Sequence, residues 1–223
     1  MCQRTLLGLA CLTAMLAALT GCAGKIRYPN YYVLNLPSPP TPRSALVPGA
    51  AQSRPLLGSV AVREFRAPAF LRAGPIVYRK SAGQLDFYDY HRWAVDPRRA
   101  VTSTIIENMQ ARGIFHSVHL FEGREPSDYL VTGTLDDLEE VDKGREVFVE
   151  VRLSAQLTDL RTGEVLWSDT SSESTKLEDH AVPDLVAAMS QTAESVVTRL
   201  VSSMQHQLST ASASLDRTQP GQR

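Results

Sequence analysis

The sequence predicts one α/β (mixed) domain, in which a mixed, largely antiparallel sheet packs against two long helices. Three observations carry this expectation. Residues 146–158 alternate strictly, with Val147, Val149, Val151, Leu153, Ala155 and Leu157 on one face and Glu146, Phe148, Glu150, Arg152, Ser154 and Gln156 on the other. That is the pattern of an antiparallel strand with one buried and one wet face. Two other stretches, 97–112 and 183–208, carry apolar residues at helical spacing instead. Helix, strands, helix is then the order in the second half, which places two helices on one sheet.

Taken in order, Tyr31 to Leu36 (YYVLNL) is the first strand, rich in aromatic and branched residues. Residues 37–55 hold six of the 13 prolines and read as a long solvated loop inside the domain, because six residues of strand cannot form a domain alone. Leu57 to Phe65 is a strand with Val60 and Val62 on one face. Gly74-Pro75 marks a turn, Ile76 to Arg79 a short strand, and Leu85 to Tyr88 its hairpin partner. Asp96-Pro97 is a strong helix start, since Asp caps free amides and Pro suits the first helical position. That helix should run to Arg112 and stop at Gly113, with Val101, Ile105 and Met109 facing the core. Short strands follow at Ser117–Phe121 and Tyr129–Leu135, the acidic run Asp136, Asp137, Glu139, Glu140, Asp142 being a solvated turn. Arg161-Thr162-Gly163-Glu164 turns the 146–158 strand into a return strand from Val165 to about Ser174. From Pro183 to Leu208 a broad apolar stripe predicts a helix about 39 Å long. Residues 209–223 are polar and non-periodic, and read as a disordered tail.

The chain opens with an export leader: Arg4 gives a positive start, residues 5–18 an uncharged apolar core, and Thr20-Gly21 small residues before Cys22. The apolar run is shorter than the roughly 20 residues that span a bilayer, which argues against a membrane helix. Leu19-Thr20-Gly21-Cys22 resembles the lipobox of bacterial lipoproteins, which implies removal of residues 1–21 and acylation of Cys22. Cys2 and Cys11 leave with the leader, so the mature chain has no disulfide, thiol catalyst or cysteine metal site. The formal net charge of −1 offers no basic surplus for nucleic acid or an anionic membrane face. Membrane attachment is therefore expected from the acyl chains alone. Residues 22–30 form a short tether that holds the domain, 31–208, close to its membrane. Ala23 in place of the aspartate that retains enteric lipoproteins at the inner membrane implies the outer membrane.

Chemistry-bearing motifs are scarce. His116 and His119 lie beyond the helix-ending Gly113, and on a strand they point to opposite faces, so no metal is expected. The acidic run lacks the glycine-spaced loop of a calcium site. No Gly-x-Ser-x-Gly elbow, Walker A loop or dinucleotide fingerprint occurs, and neither an enzyme nor a cofactor is expected. The aromatic block Phe65, Phe70, Tyr78, Phe87, Tyr88, Tyr90 and Trp93 has two readings. Such rings either pack a loop onto the sheet or anchor a partner.

The run Phe70-Leu71 … Pro75-Ile76-Val77-Tyr78-Arg79 … Arg92-Trp93 followed by a helix resembles the ABC-type transport auxiliary lipoproteins. Tyr31-Tyr32-Val33-Leu34 after a short tether fits the same family, and the likeness covers about residues 19–205. These lipoproteins accompany MCE-type lipid transport systems, as in the Pqi system. The resemblance implies a domain similar to the amino-terminal domain of TolB and a non-catalytic role. It implies docking, from the outer membrane, onto a periplasmic MCE-domain (PqiB-like) protein served by an ABC permease and ATPase. Phe70, Leu71, Ile76, Tyr78, Arg79 and Trp93, or the edge of the strand at Tyr31–Leu36, are the candidate contacts. A homo-oligomer, ring or dimer, suits a subunit that faces a symmetric tunnel. Two other classes compete: a lipid-binding carrier with its own apolar cavity, and an outer-membrane lipoprotein activator or assembly factor of envelope machinery. The short tether counts against an activator that must reach through the cell wall.

Overall fold

A computed structural model describes residues 27–37, 57–72, 74–123 and 125–217, with backbone alone at 57 and 211–217. The leader, Cys22, most of the tether and the proline-rich loop lie outside the described residues. The strands are β1 (Asn30–Tyr32), β2 (Leu57–Val62), β3 (Pro75–Ser81), β4 (Gln84–Trp93), β5 (Phe115–Leu120), β6 (Tyr129–Lys143), β7 (Glu146–Asp159) and β8 (Val165–Leu177). The helices are α1 (Pro97–Arg112) and α2 (Val182–Arg217), with a 3-10 turn at Ala69–Leu71. All eight strands form one mixed sheet packed on the two helices. Its long ladders, β6–β7 and β7–β8, are antiparallel, whereas β2–β5, β2–β6, β3–β6 and β1–β4 are short and parallel.

The sheet forks at β6. One edge of β6 pairs with β7 along its whole length. The other edge pairs first with β2, at Tyr129–Val131, and later with β3, at Glu140–Val141. The chain between these partners stays against β6, through Arg66 N to Gly133 O (2.9 Å) and Leu135 N to Arg66 O (2.8 Å). One arm therefore continues to β5 and the other through β4 to β1.

Alternation in β7 is realised as expected, with Val149, Val151, Leu153, Ala155 and Leu157 buried in a continuous core. From the helices the core receives Val101, Ile105 and Met109 of α1, and Leu185, Met189, Val196, Leu200, Met204 and Leu208 of α2. A fully buried side chain of this kind contributes roughly 1.5–3 kcal/mol, so the α2 stripe is a main source of stability. α1 begins and ends at the expected residues. Asp96 accepts from Arg98 N at 3.0 Å, and Gly113 takes the left-handed conformation at φ 58° that closes the helix. Asp96→Ala should lower stability by about 1 kcal/mol, read as a lower urea midpoint with unchanged slope.

Several expectations need correction. β1 spans three residues rather than six, and β4 runs on to Trp93 because β1 pairs with its second half. β8 extends to Leu177, keeping its register with β7 down to Val147. α2 continues past Leu208 to Arg217, so residues 209–217 are helical rather than a disordered tail. The apolar stripe ends at Leu208, and the following turn holds by local bonds such as Thr210 Oγ1 to His206 O (2.9 Å). The largest departure is the acidic run, which is not a turn but the second half of β6.

Candidate docking segment and the buried acids behind it

The six candidate contact residues divide between surface and interior. Phe70, on the 3-10 turn, is exposed. Leu71, Ile76 and Trp93 are buried in the core, where they hold the β3–β4 hairpin to the rest of the sheet. Tyr78 is half-buried, its ring 5.1 Å from that of Tyr88 and 5.1 Å from Lys80 Nζ. Arg79 is half-buried and committed within the chain. Its guanidinium grips Glu139 with two bonds, Nε to Oε1 at 2.7 Å and Nη2 to Oε2 at 3.0 Å. The exposed rings of this segment are therefore Phe70, Phe87 and Tyr90, joined by parts of Tyr78 and Arg79, with Leu71, Ile76 and Trp93 shaping it from beneath.

Glu139 and Glu140 are both buried in β6. A register shift between Leu135 and Asp137 inserts one residue into β6 relative to β7. Beyond this bulge Leu138 and Glu140 pair with Val151 and Val149, on the helix-facing side, and Glu139 pairs with Glu150 on the opposite side. Without the bulge every following side chain would change face. Each acid then finds its own partner. Glu139 takes Arg79 of β3, and Glu140 accepts the Tyr88 hydroxyl of β4 at 2.7 Å. Tyr88 also stands edge-on to His91, whose Nδ1 is 3.0 Å from the Tyr32 hydroxyl of β1. A connected row of polar rings thus ties three strands of one arm to β6.

Burial pushes the Glu140 carboxyl above its ordinary value; Asp142 adds to this, while the Tyr88 bond and His180 oppose it. Burial, and donation to Glu140, also push the Tyr88 hydroxyl up. A raised folded value means the native chain binds the proton more tightly than the unfolded chain. Ionised Glu140 accordingly subtracts from stability at neutral pH, and the deficit closes as pH falls through the folded value to the ordinary range. Glu140→Gln should raise the urea midpoint at neutral pH, and the advantage should shrink as pH falls and vanish below about pH 3.5, where glutamate is largely protonated in both states.

Elsewhere the described residues hold no group of three or more His, Cys, Asp or Glu side chains placed for a metal. His119 Nε2 lies 3.0 Å from Ser127 Oγ, and His116 is exposed. Shallow polar clefts occur on the sheet beside Asp137, Glu150 and Arg152 (about 230 Å³) and at His119–Glu125 (about 360 Å³). The sequence reading placed Glu139 and Glu140 in a solvated turn and not among buried, partnered acids. Their signal was present but ambiguous, since Leu138 and Val141 interrupt the acidic run as a strand would.

An open mixed sheet carrying two helices on one side defines a small α/β domain. The chain belongs to the family described as the ABC-type transport auxiliary lipoprotein component, which it matches over residues 32–201. Comparison with curated proteins finds no match. Among solved structures it is similar to protein XCC0632 from Xanthomonas campestris, with a TM-score of 0.68 and 18% identity, covering 82% of this chain and 99% of that one. A second crystal structure, of an uncharacterized protein, gives a TM-score of 0.57 and 15% identity over 78% of this chain and 96% of the other. At such identities the likeness shows the fold alone. Membership of a lipoprotein family means anchoring at a membrane. Among the described residues no helix is long and apolar enough to cross one.

Proposed function

We propose that this protein is an outer-membrane lipoprotein, acylated at Cys22 and facing the periplasm, that serves as the non-catalytic docking subunit of an MCE-type ABC system. In this role it receives a periplasmic MCE-domain (PqiB-like) protein, behind which an ABC permease and ATPase move lipid between the two membranes. The observation that carries this reading is the family match over 32–201 behind the Leu19–Cys22 lipobox.

Docking by strand addition needs a free, extended edge, and the three edges are poorly suited. On β8 the carbonyls of Leu166 and Ser172 are taken by Gln207 and Arg199 of α2, at 3.1 and 3.0 Å. On β5 the Val118 carbonyl accepts from Gln110 of α1 at 2.9 Å. β1 spans only three residues. Contact through side chains of the 70–93 segment is the better fit, with Phe70, Tyr78, Arg79 and Phe87 at the surface.

The test is copurification of the tagged lipoprotein with its MCE-domain partner. Phe70→Asp with Phe87→Asp should abolish it while circular dichroism stays native. Undiminished copurification by this folded variant would remove the segment from the interface. Absence of any MCE protein with the wild-type chain would remove the function.

A further inference from the structure

The most exposed aromatic side chains stand where the chain emerges from its anchor. Tyr28 is 80% exposed, Tyr31 64%, Val33 55% and Tyr90 43%. They sit on β1, its flanks and the neighbouring part of β4, which the parallel register Tyr31↔Arg92 holds side by side. The Arg27 guanidinium lies 5.8 Å from the centre of the Tyr90 ring, which draws the lead-in to β1 onto this patch. Three tyrosines with Arg27 and Arg92 around them, against Asp89, are the residue types that settle at a bilayer interface. Rings of this kind enter the headgroup layer while hydroxyls and guanidinium groups stay wet.

Chain length says what covers this surface. Cys22 to Tyr28 is six residues, at most about 20 Å when fully extended. The headgroup layer is itself some 5–8 Å deep on each side. An acylated Cys22 therefore presents the patch to lipid at high effective concentration, so that even weak affinity produces seating. We propose that the Tyr28–Tyr31–Tyr90 patch rests in the interface of the bilayer that holds Cys22, fixing the orientation of the domain on its membrane. The proposal rests on lipidation at Cys22, and it assigns this end of the sheet to lipid rather than to a protein partner.

The far end of the molecule supplies a control. Followed through Arg92↔Pro75 and Tyr78↔Glu140, Tyr31 stands level with about residue 137 of β6, whereas Leu160, in the β7–β8 turn, lies beyond Tyr129, some eight residues or about 26 Å back along the strand. Both native tryptophans, Trp93 and Trp167, are buried and give a constant background. The mature chain, residues 22–223, has Cys22 as its single thiol and can be coupled there to a maleimide phospholipid. Coupled Tyr31→Trp and Leu160→Trp proteins are placed on phosphatidylethanolamine–phosphatidylglycerol vesicles containing brominated phosphatidylcholine.

Emission from the reporter at position 31 should fall by about half, as for an interfacial ring, and that from position 160 should not change. Adding Tyr28→Ser and Tyr90→Ser should abolish quenching at position 31 without changing the melting curve. No quenching at either position, or equal quenching at both, overturns the proposal. So does a lipid-free dimer that Tyr28→Ser and Tyr90→Ser dissolve, because the patch would then belong to a second copy. Chemical coupling makes the outcome independent of acylation in the cell, which the mass of the native product tests separately.

Discussion

Replacing Gly133 with alanine should lower the unfolding free energy by about 2–3 kcal/mol, the upper range for overpacking a core. Gly133 sits in β6 opposite Ala155 of β7, and the fully buried Phe65 ring lies directly over it. A Cβ built at this position would overlap Cε1 and Cζ of Phe65 and approach the Ser154 carbonyl oxygen to 2.7 Å. Phe65 has little freedom to yield. Its amide is bonded to Thr102 Oγ1 of α1 at 3.1 Å, and the next residue is hydrogen-bonded to Gly133 itself. The Ser154 oxygen belongs to a ladder strand and cannot retreat. For a domain of this size, each kcal/mol corresponds to about 2–4 °C in Tm, so a fall of some 4–12 °C is expected. Phe65→Leu alone should cost stability through lost packing. Combined with Gly133→Ala it should recover part of that variant's loss, the mark of two residues sharing one volume. Equal stability of Gly133→Ala and wild type would show that the close approach of Phe65 plays no part in specifying the fold.

Arg79→Ala should cost about 3 kcal/mol, because it leaves the Glu139 carboxylate, 4% exposed at its side chain, without its bidentate partner. The arginine side chain is 26% exposed, which keeps the expected loss at the low end of the 3–5 kcal/mol found when buried pairs are broken. Glu139→Gln should cost less, about 1 kcal/mol, since the arginine left behind can turn to water. The double variant should be more stable than Arg79→Ala alone, because the stranded charge is gone. Arg79→Lys should rescue poorly, as an ammonium cannot bond both carboxylate oxygens in the same fork. Urea unfolding of the four proteins measures all of this. Unchanged stability in Arg79→Ala would return Arg79 to the surface as a free docking residue. The expected loss identifies its first task as fastening β3 to β6.

Local pattern carried the helices and the β7–β8 hairpin. Asp96-Pro97, Gly113 and the Val101–Ile105–Met109 stripe delimited α1 because caps and periodicity act within a few residues of each other. Val147 to Leu157 identified β7 for the same reason: its alternation is unbroken over six pairs. β6 resisted because the bulge at Asp136 breaks the count. After one inserted residue, period-two reasoning assigns Leu138 and Glu140 to the wrong face, and five acids in seven positions then look like a solvated turn. What makes them a strand is remote, since Arg79 lies 60 positions from Glu139 and Tyr88 lies 52 from Glu140.

The aromatic block was half legible. Composition marked residues 65–93 as the place where rings gather but could not sort them. Trp93, Ile76 and Leu71 went inside because β1 and β4 close over the core. Phe70, Phe87 and Tyr90 stayed outside. Exposure of Tyr28 and Tyr31 depended likewise on β1 being an edge strand paired on one side only.

By itself, then, the sequence determined the two helices, the β7–β8 hairpin and the family to which they belong. All of these are written in contiguous residues or in short fixed spacings. Tertiary structure alone decided the fork at β6, the face on which each acid lies, and which aromatic rings meet solvent. These depend on partners far away in the chain. No local period encodes a neighbour 60 residues distant, and a single inserted residue reverses every face that follows it.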